Sequence, residues 1–412
     1  GVWGVRGSLD WDRMPTRIDA AIAQRISRLP DELQRDLAVA SVQGEEFVAE
    51  IVAEVTADDA TLSRLSRESS TSQRLIEPSG VQRIAGQLAA RYRFRHVLFQ
   101  RYLYDGLDRA DRFRLHEATG RGLEGLYQDH PAAPLVDLAK HFDEAGLEDS
   151  AIRYLHLAGQ RAVQMSAAEE AIKLLERACI LFPELPESTE RDERELAVLV
   201  SLYATLMSAR GYAAPEAEQI GERVQELCAR LDPSPTTALA LIGLSTVRSL
   251  RAFYAQAVET CRDAVAISDV LEIPALSVLS HQTFGYHLTW MGDLGPAHAS
   301  LQRAQEIYDP VEHSWLVYAF GSSGGPEAMA WDAVNTLHRG YPGQALALAD
   351  NGIALARELG HPFTLTHVSA VGGVILRHFM GDYSTTEGLI EEIERIAEAE
   401  HFPFYEIATS LY

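Results

Sequence analysis

The stretch AHASLQRA at residues 297–304 starts with a small residue and has small or apolar residues three, four and seven positions later. The chain repeats this arrangement five times, and AVETCRDA at residues 257–264 is another copy. Because these positions share one face of a helix, each copy predicts a helix with a single buried stripe. The copies start at Ala171, Ala217, Ala257, Ala297 and Ala345.

The copies are 46, 40, 40 and 48 residues apart, which leaves room for two helices in each repeat. Units of this length bury their apolar faces only by stacking on their neighbours. We therefore predict an all-α fold, an α-solenoid of about six tetratricopeptide-like helix hairpins over residues 149–412. A sixth copy near Gly388 fits only when its stripe is moved to Leu389, Ile393 and Ile396. Such a fold favours a binding surface over a catalytic pocket.

Two shorter regions precede the repeats. Short helical stripes separated by turns, such as the stripe that ends at Pro30, predict a small winged-helix-like or helical module over residues 1–90. Apolar spacing from Tyr92 to Tyr127 predicts a long helical region, and we assign residues 91–148 to a helical bridge.

Composition excludes several classes of function. The chain has 412 residues and a net charge of -23, which argues against nucleic-acid binding because phosphates repel an acidic surface. Arginines and aromatic residues do alternate over residues 91–102, and stacking on a single strand is the alternative there. We favour arginine stems that cover an apolar helix. The sequence has no apolar run long enough to cross a membrane and no secretory signal at its start.

Other chemistry lacks its motifs. The only lysines are Lys140 and Lys173, and neither follows a glycine, so the chain has no Walker-type phosphate loop. Neither the histidines nor the three cysteines have metal-ligand spacing, so we predict no metal, no bound cofactor and no catalytic residue. Three widely spaced cysteines are typical of buried thiols in a reducing cytoplasm.

One segment interrupts the repeat rhythm. Residues 308–326 combine aromatic residues with a glycine-rich run, and a loop of this kind within a solenoid is a place for a ligand site. The predicted first helices on either side carry further aromatic residues and histidines. We expect them to line the concave wall, where solenoids bind ligands, although packing between repeats explains the tryptophans equally well. The candidate ligand-binding residues are Tyr286, His287, Trp290, His313, Tyr318, Trp331 and His338.

The chain resembles the C-terminal half of large bacterial signal-transduction ATPases with numerous domains, the STAND class. The likeness is to the branch linked to adenylate or guanylate cyclase domains or to DNA-binding domains. It covers nearly the whole chain through loose motifs. These are RIDAAIAQRISRLPDEL from Arg17 to Leu33, AVASVQGEEF from Ala38 to Phe47, YRFRH from Tyr92 to His96, YPGQA from Tyr341 to Ala345, and HPFTL from His361 to Leu365.

The resemblance implies a winged-helix region followed by a sensor arm of repeats. It also implies that an ATPase core, which binds ATP or ADP, and an effector head lie outside this chain. His96 matches a winged-helix histidine that senses the nucleotide in related switch ATPases, although we favour a histidine packed at a helix interface. The chain ends at Tyr412 just after a predicted helix begins, so we expect a C-terminally truncated array, either engineered or processed.

These observations predict a non-catalytic regulatory or scaffold arm of a nucleotide-switched protein, which binds a protein or a small molecule on its concave wall. A stand-alone protein-binding adaptor is the alternative. An enzyme with a site at residues 308–326 is a third hypothesis. It requires His313, His338 and a carboxylate to converge around a deep pocket.

Overall fold

The chain folds into two compact units, Gly1–Pro186 and Glu187–Tyr412, in the computed structural model. Helices dominate both units, and the predicted all-α fold with tetratricopeptide-like helix hairpins is confirmed. Among the residues that the structure describes, the exception is one small three-stranded sheet. The structure describes residues 16–70, 75–128, 130–165, 167–210, 216–313, 315–316, 323–400, 402 and 405.

The first unit contains helices and strands in alternation at its start. Its elements are α1 (Thr16–Ile26), α2 (Asp31–Gln43), β1 (Glu46–Val48), α3 (Ala49–Thr56), α4 (Thr61–Ser69), β2 (Ile76–Ile84), β3 (Gln87–Phe94), α5 (Val97–Asp105), α6 (Arg109–Tyr127), α7 (Leu135–Glu144), α8 (Glu148–Gln164) and α9 (Ala168–Leu181).

The sheet of this unit is antiparallel, in the order β1-β3-β2. Strands β2 and β3 form a hairpin whose two turn residues, Ala85 and Gly86, both have positive φ. Such a turn matches the right-handed twist of paired strands. The inner face of the sheet joins a core with α1 to α5, where the rings of Phe47 and Phe94 are 5.4 Å apart.

Residues 92–94 belong to this sheet and not to the long helix that we predicted from Tyr92. Arginines at positions 91, 93 and 95 alternate with Tyr92 and Phe94, and this period of two is the signal of a half-buried strand. The arginines therefore do not cover a helix. Instead, Arg91 pairs with Glu46, while Arg93 and Arg95 pair with Glu77. The predicted helical region is two helices, α5 and α6.

Helices α6 and α7 meet at a buried pair of histidines. The Nδ1 atoms of His116 and His141 are 2.9 Å apart, and the hydroxyl of Tyr104 lies 3.0 Å from Nε2 of His116. Each histidine is only 1% exposed. Burial lowers the pKa of His116 to about 4 and that of His141 to about 3. Both rings are therefore neutral in the folded chain at neutral pH.

We expect this pair to make the first unit unstable in acid. The unfolded chain takes up protons on these histidines below about pH 6.5, whereas the folded chain resists until about pH 3 to 4. The contribution of the two histidines to the free energy of unfolding is thus complete above about pH 6.5. As the pH falls, this contribution decreases by up to about 2.7 kcal/mol per pH unit, because two protons are taken up on unfolding. Urea unfolding at pH 7 and pH 5 measures the slope.

The control variant is His130→Gln, which removes an exposed histidine. We expect it to keep the pH dependence, whereas the double variant His116→Gln/His141→Gln flattens it. Equal slopes for the double variant and the native chain would contradict the assignment to the buried pair.

The second unit is built from helix pairs. Its elements are α10 (Thr189–Arg210), α11 (Glu216–Arg230), α12 (Pro235–Leu250), α13 (Tyr254–Leu271), α14 (Pro274–Met291), α15 (Leu294–Ile307), α16 (Gly325–His338), α17 (Pro342–Leu359), α18 (Pro362–Val368), a π-helical turn (Ser369–Ile375), α19 (Leu376–Met380) and α20 (Tyr383–Glu400). Helices α18 and α19 with the π-helical turn form the first helix of the last hairpin.

The repeated stripe lies on the second helix of each hairpin. All five starting alanines are buried, four of them in α11, α13, α15 and α17, and Ala171 in α9 of the first unit. In the second unit each second helix also packs against the first helix of the following hairpin. The stripe is therefore the surface on which successive hairpins stack, as predicted.

The last stripe has a different register from the predicted one. In α20 the fully buried residues are Thr386, Ile393 and Ala397, while Leu389 is only partly buried. The repeat thus starts two residues before Gly388. Threonine is larger than the alanine found in the other copies, which is why the small-residue pattern did not reveal it.

Candidate functional site

The first helices of successive hairpins lie side by side in the second unit, with α14 between α12 and α16. Tyr286 of α14 joins all three. Its ring centroid is 4.6 Å from that of Trp331 on α16, and its hydroxyl is 3.4 Å from the hydroxyl of Ser249 on α12. The predicted residues Tyr286, Trp290 and Trp331 therefore do come together.

Four aromatic rings make up this group, which we call the aromatic cluster: Tyr254, Tyr286, Trp290 and Trp331. Trp290 stacks on Tyr254 at 6.0 Å with an interplanar angle of 13°. It meets Trp331 at 6.0 Å and Tyr286 edge-on at 6.5 Å. Rings arranged at such distances and angles stabilise one another. Tyr254, Tyr286 and Trp331 thus pack around the ring of Trp290.

The two tryptophans differ in exposure. Trp331 is 7% exposed and belongs to the core between α15, α16 and α17, so packing explains it. Trp290 is 52% exposed in the last turn of α14. The cluster therefore presents one large aromatic surface to solvent, a feature that tryptophan contributes to many binding sites.

His287, a predicted ligand contact, does not lie on this surface. It is fully buried, and its Nε2 atom is 3.0 Å from the hydroxyl of Ser245. Burial lowers the pKa of His287 to about 3. Its neighbour in sequence, Tyr286, faces the cluster. The structure therefore places His287 in the core between α12 and α14.

The histidines of the enzyme hypothesis lie in separate environments. His313 is buried, and its Nδ1 atom accepts a hydrogen bond of 3.0 Å from the backbone N–H of Asp309, which closes a local turn. His338 is exposed at the end of α16, with its ring 6.1 Å from that of Phe379. Neither histidine hydrogen-bonds to a carboxylate of any described residue. Tyr318 lies outside the described residues.

His96 is exposed, so it is not the packed histidine that we favoured. It precedes α5, and its Nδ1 atom accepts a hydrogen bond from the backbone N–H of Leu98 at 3.2 Å. This contact satisfies one of the free N–H groups at the start of the helix. Its nucleotide-sensing role stays a prediction.

A buried aspartate holds two helices of the second unit together. Asp332 of α16 is 1% exposed. One of its oxygens lies 2.7 Å from Nδ1 of His298, and the other accepts a hydrogen bond of 3.2 Å from Nε2 of Gln305. Both partners lie on α15. The three side chains thus connect two consecutive hairpins.

The first unit contains a cavity of about 480 Å³ between α2, α4 and α6. An ion pair lies in its wall, where Nε of Arg64 is 2.6 Å from Asp36 and a second guanidinium nitrogen is 2.8 Å from Asp58. These three charged side chains already pair with one another. We therefore assign this cavity no function.

Sequence reasoning missed three residues around Trp290. Tyr254 and Ser249 lie on other helices, and only the folded chain brings them near α14. Asp293 lies in the turn between α14 and α15 and was not among the predicted site residues. Its position three residues after Trp290 was the available signal.

Within the described part of the chain, no set of three or more histidine, cysteine, aspartate or glutamate side chains is placed to hold a metal ion. Among the helices that the structure describes, none is both long and apolar enough to cross a membrane.

No protein-family model matches the chain. Over 151 residues it is 30% identical to an uncharacterized protein of Rhizobium meliloti (strain 1021), which is 36% of this chain and 14% of that protein. The chain therefore matches only a small part of a much longer relative.

Two solved structures are among those to which the chain shows a similarity. One is a STAND protein with a tetratricopeptide repeat sensor from Pyrococcus horikoshii, with 13% identity over 96% of this chain and 61% of that chain, and a TM-score of 0.44. The other is a Rap protein complexed with Competence and Sporulation Factor, with 10% identity over 95% of each chain and a TM-score of 0.40. At these scores the fold assignment depends on the helix pairs themselves.

Proposed function

We propose that this chain is the non-catalytic sensor and scaffold arm of a nucleotide-switched signalling ATPase, and that it binds a protein partner on the face formed by its first helices. One observation carries the proposal. The aromatic cluster connects three consecutive first helices and leaves half of Trp290 in contact with solvent. Large exposed aromatic surfaces on folded proteins are typical of interaction sites.

The composition of α14 supports a protein partner. Its eighteen residues, PALSVLSHQTFGYHLTWM, include no aspartate, glutamate, lysine or arginine. Charged residues are depleted at the centres of protein interfaces, where tryptophan and tyrosine are enriched. A surface of this kind, held rigid by its neighbours, binds a partner with little loss of side-chain entropy.

The first unit supports the place of the chain in a longer protein. We propose that α2 to α4 with the sheet form a winged helix. A helix, a short strand, two helices and a β-hairpin follow one another, and β1 pairs with β3 of the hairpin. In the resemblance described above, such a region lies between the ATPase core and the repeats. A partner bound to the repeats then shifts the equilibrium between the ATP-bound and ADP-bound forms of the ATPase. The size of this shift is limited by the difference in the partner's affinity for the two forms.

Site-specific photo-cross-linking tests the proposal. A benzoylphenylalanine at position 290 should become covalently linked to the partner protein in cells of the host. The purified chain, mixed with that purified partner protein, should form the same cross-link. The matched control is position 270, where Val270 is 70% exposed on the second helix α13. Position 270 should give no link. Equal links at both positions, or links only at position 270, would refute the proposed surface.

A stand-alone adaptor is the alternative. It predicts the same cross-links, but the affinity for the partner would not depend on ATP or ADP. A difference in affinity between the ATP-bound and ADP-bound forms supports the sensor arm.

A further inference from the structure

Exposed aromatic residues recur at the turn between the two helices of successive hairpins. Phe253, Trp290 and Tyr341 occupy this turn, or the helix end beside it, in three consecutive hairpins, and they are 42%, 52% and 50% exposed. Two of them are covered by an arginine of the chain itself. The guanidinium of Arg251 is 5.3 Å from the ring centroid of Phe253, and that of Arg339 is 5.8 Å from Tyr341.

Trp290 has no such arginine among the described residues, although tryptophan is the side chain that attracts a cation most strongly. The helix that carries Trp290 also differs from the other first helices of the second unit. Basic residues lie in the last turn of α10, α12, α16 and α19. There the negative end of the helix dipole stabilises a positive charge. The last turn of α14 contains none.

A carboxylate without a partner lies at the same end. Asp293 is exposed, follows Trp290 by three residues across Gly292, and makes no ion pair with any described residue. Its side chain does not cap α15 either. The aromatic face, the helix end and the carboxylate all favour a positive charge, and no described residue supplies one there by an ion pair with Asp293 or by stacking on Trp290.

We infer that the end of α14 binds an arginine side chain of the partner protein, which stacks on Trp290 and pairs with Asp293. This inference rests on the proposed function and names the chemistry of the partner. Arginine suits the site better than lysine because its planar guanidinium stacks on a ring while its N–H groups remain free for a carboxylate. The second unit also attracts a basic segment, since acidic residues outnumber basic ones there by more than two to one.

The test uses the full chain and two small probes of nearly equal shape, N-acetyl-arginine amide and the uncharged N-acetyl-citrulline amide. Dissociation constants come from the shifts of the tryptophan indole signals in NMR titrations. We expect the arginine probe to bind at least about fivefold more tightly, as a cation at an aromatic ring does. The variant Trp290→Leu should lose this difference, and Asp293→Asn should reduce it by about two- to threefold because only one of three contributions is removed.

Tyr341→Leu is the matched control, because that exposed ring already has Arg339, and it should leave both constants unchanged. The variant Trp290→Phe controls for misfolding of Trp290→Leu, because it keeps an aromatic ring at this position. It should bind the arginine probe with intermediate affinity. Equal binding of both probes would overturn the inference while the proposed surface stands. Tighter binding of N-acetyl-lysine amide would overturn the choice of arginine. If neither probe binds, the inference is wrong, whereas the proposed function is decided by the cross-links.

Discussion

The variant Asp36→Ala should unfold far more readily than the native chain, with a loss of about 3 to 5 kcal/mol in the free energy of unfolding of the first unit. Asp36 lies on α2 and is 1% exposed. Its two oxygens accept hydrogen bonds from Arg64 of α4 at 2.6 and 3.0 Å, and the hydroxyl of Thr61 donates to it at 3.1 Å. Removing the carboxylate leaves Asp58 and the hydroxyl of Thr61 as the partners of Arg64.

The cost is large because three hydrogen bonds to one buried carboxylate are lost together, and a hydrogen bond to a charged group contributes about 1.5 to 3 kcal/mol. Urea unfolding monitored by circular dichroism measures it. The control is Glu117→Ala, which breaks the exposed pair with Arg121 on α6 and should change stability by less than about 1 kcal/mol. Similar losses for the two variants would show that Asp36 is not a critical link between α2 and α4.

The variant Gly285→Ala should destabilise the second unit by about 2 to 3 kcal/mol through overpacking. A Cβ atom at Gly285 would lie 2.4 Å from Cγ of Leu301 and 3.1 Å from the backbone oxygen of Ala297. Rotation of the leucine cannot relieve the second contact, because it involves the backbone. Helices α14 and α15 would have to separate, which disturbs the support of Trp290 as well.

Gly295→Ala provides the comparison within the same hairpin, because nothing lies within 4 Å of the added Cβ atom. We expect it to be neutral or to stabilise by up to about 1 kcal/mol, as alanine does in a helix. Thermal unfolding of both variants gives the difference. The double variant Gly285→Ala/Leu301→Ala should lose less than the sum of its single variants. Strict additivity would argue against this contact as the cause.

The sequence by itself determined the repeats. The stripe that starts at Ala257 and Ala297 is a local pattern, and stacking of hairpins requires small residues at those positions whatever the rest of the chain does. The same reasoning failed at Tyr92 to Phe94, because the period of two was short and a longer helical pattern followed it. It also failed at Thr386, where a larger residue replaced the alanine.

The candidate site could be predicted only in part. Tyr286, Trp290 and Trp331 were identified from their positions on adjacent first helices, and the structure does bring them together. Sequence could not separate the buried Trp331 from the exposed Trp290, nor place His287 in the core beside Ser245. Exposure depends on which neighbouring helix covers each side chain, and that is settled by packing between residues far apart in the chain. The half-exposed ring of Trp290, and the lack of an ion pair between Asp293 and any described residue, are therefore features that only the tertiary structure decided.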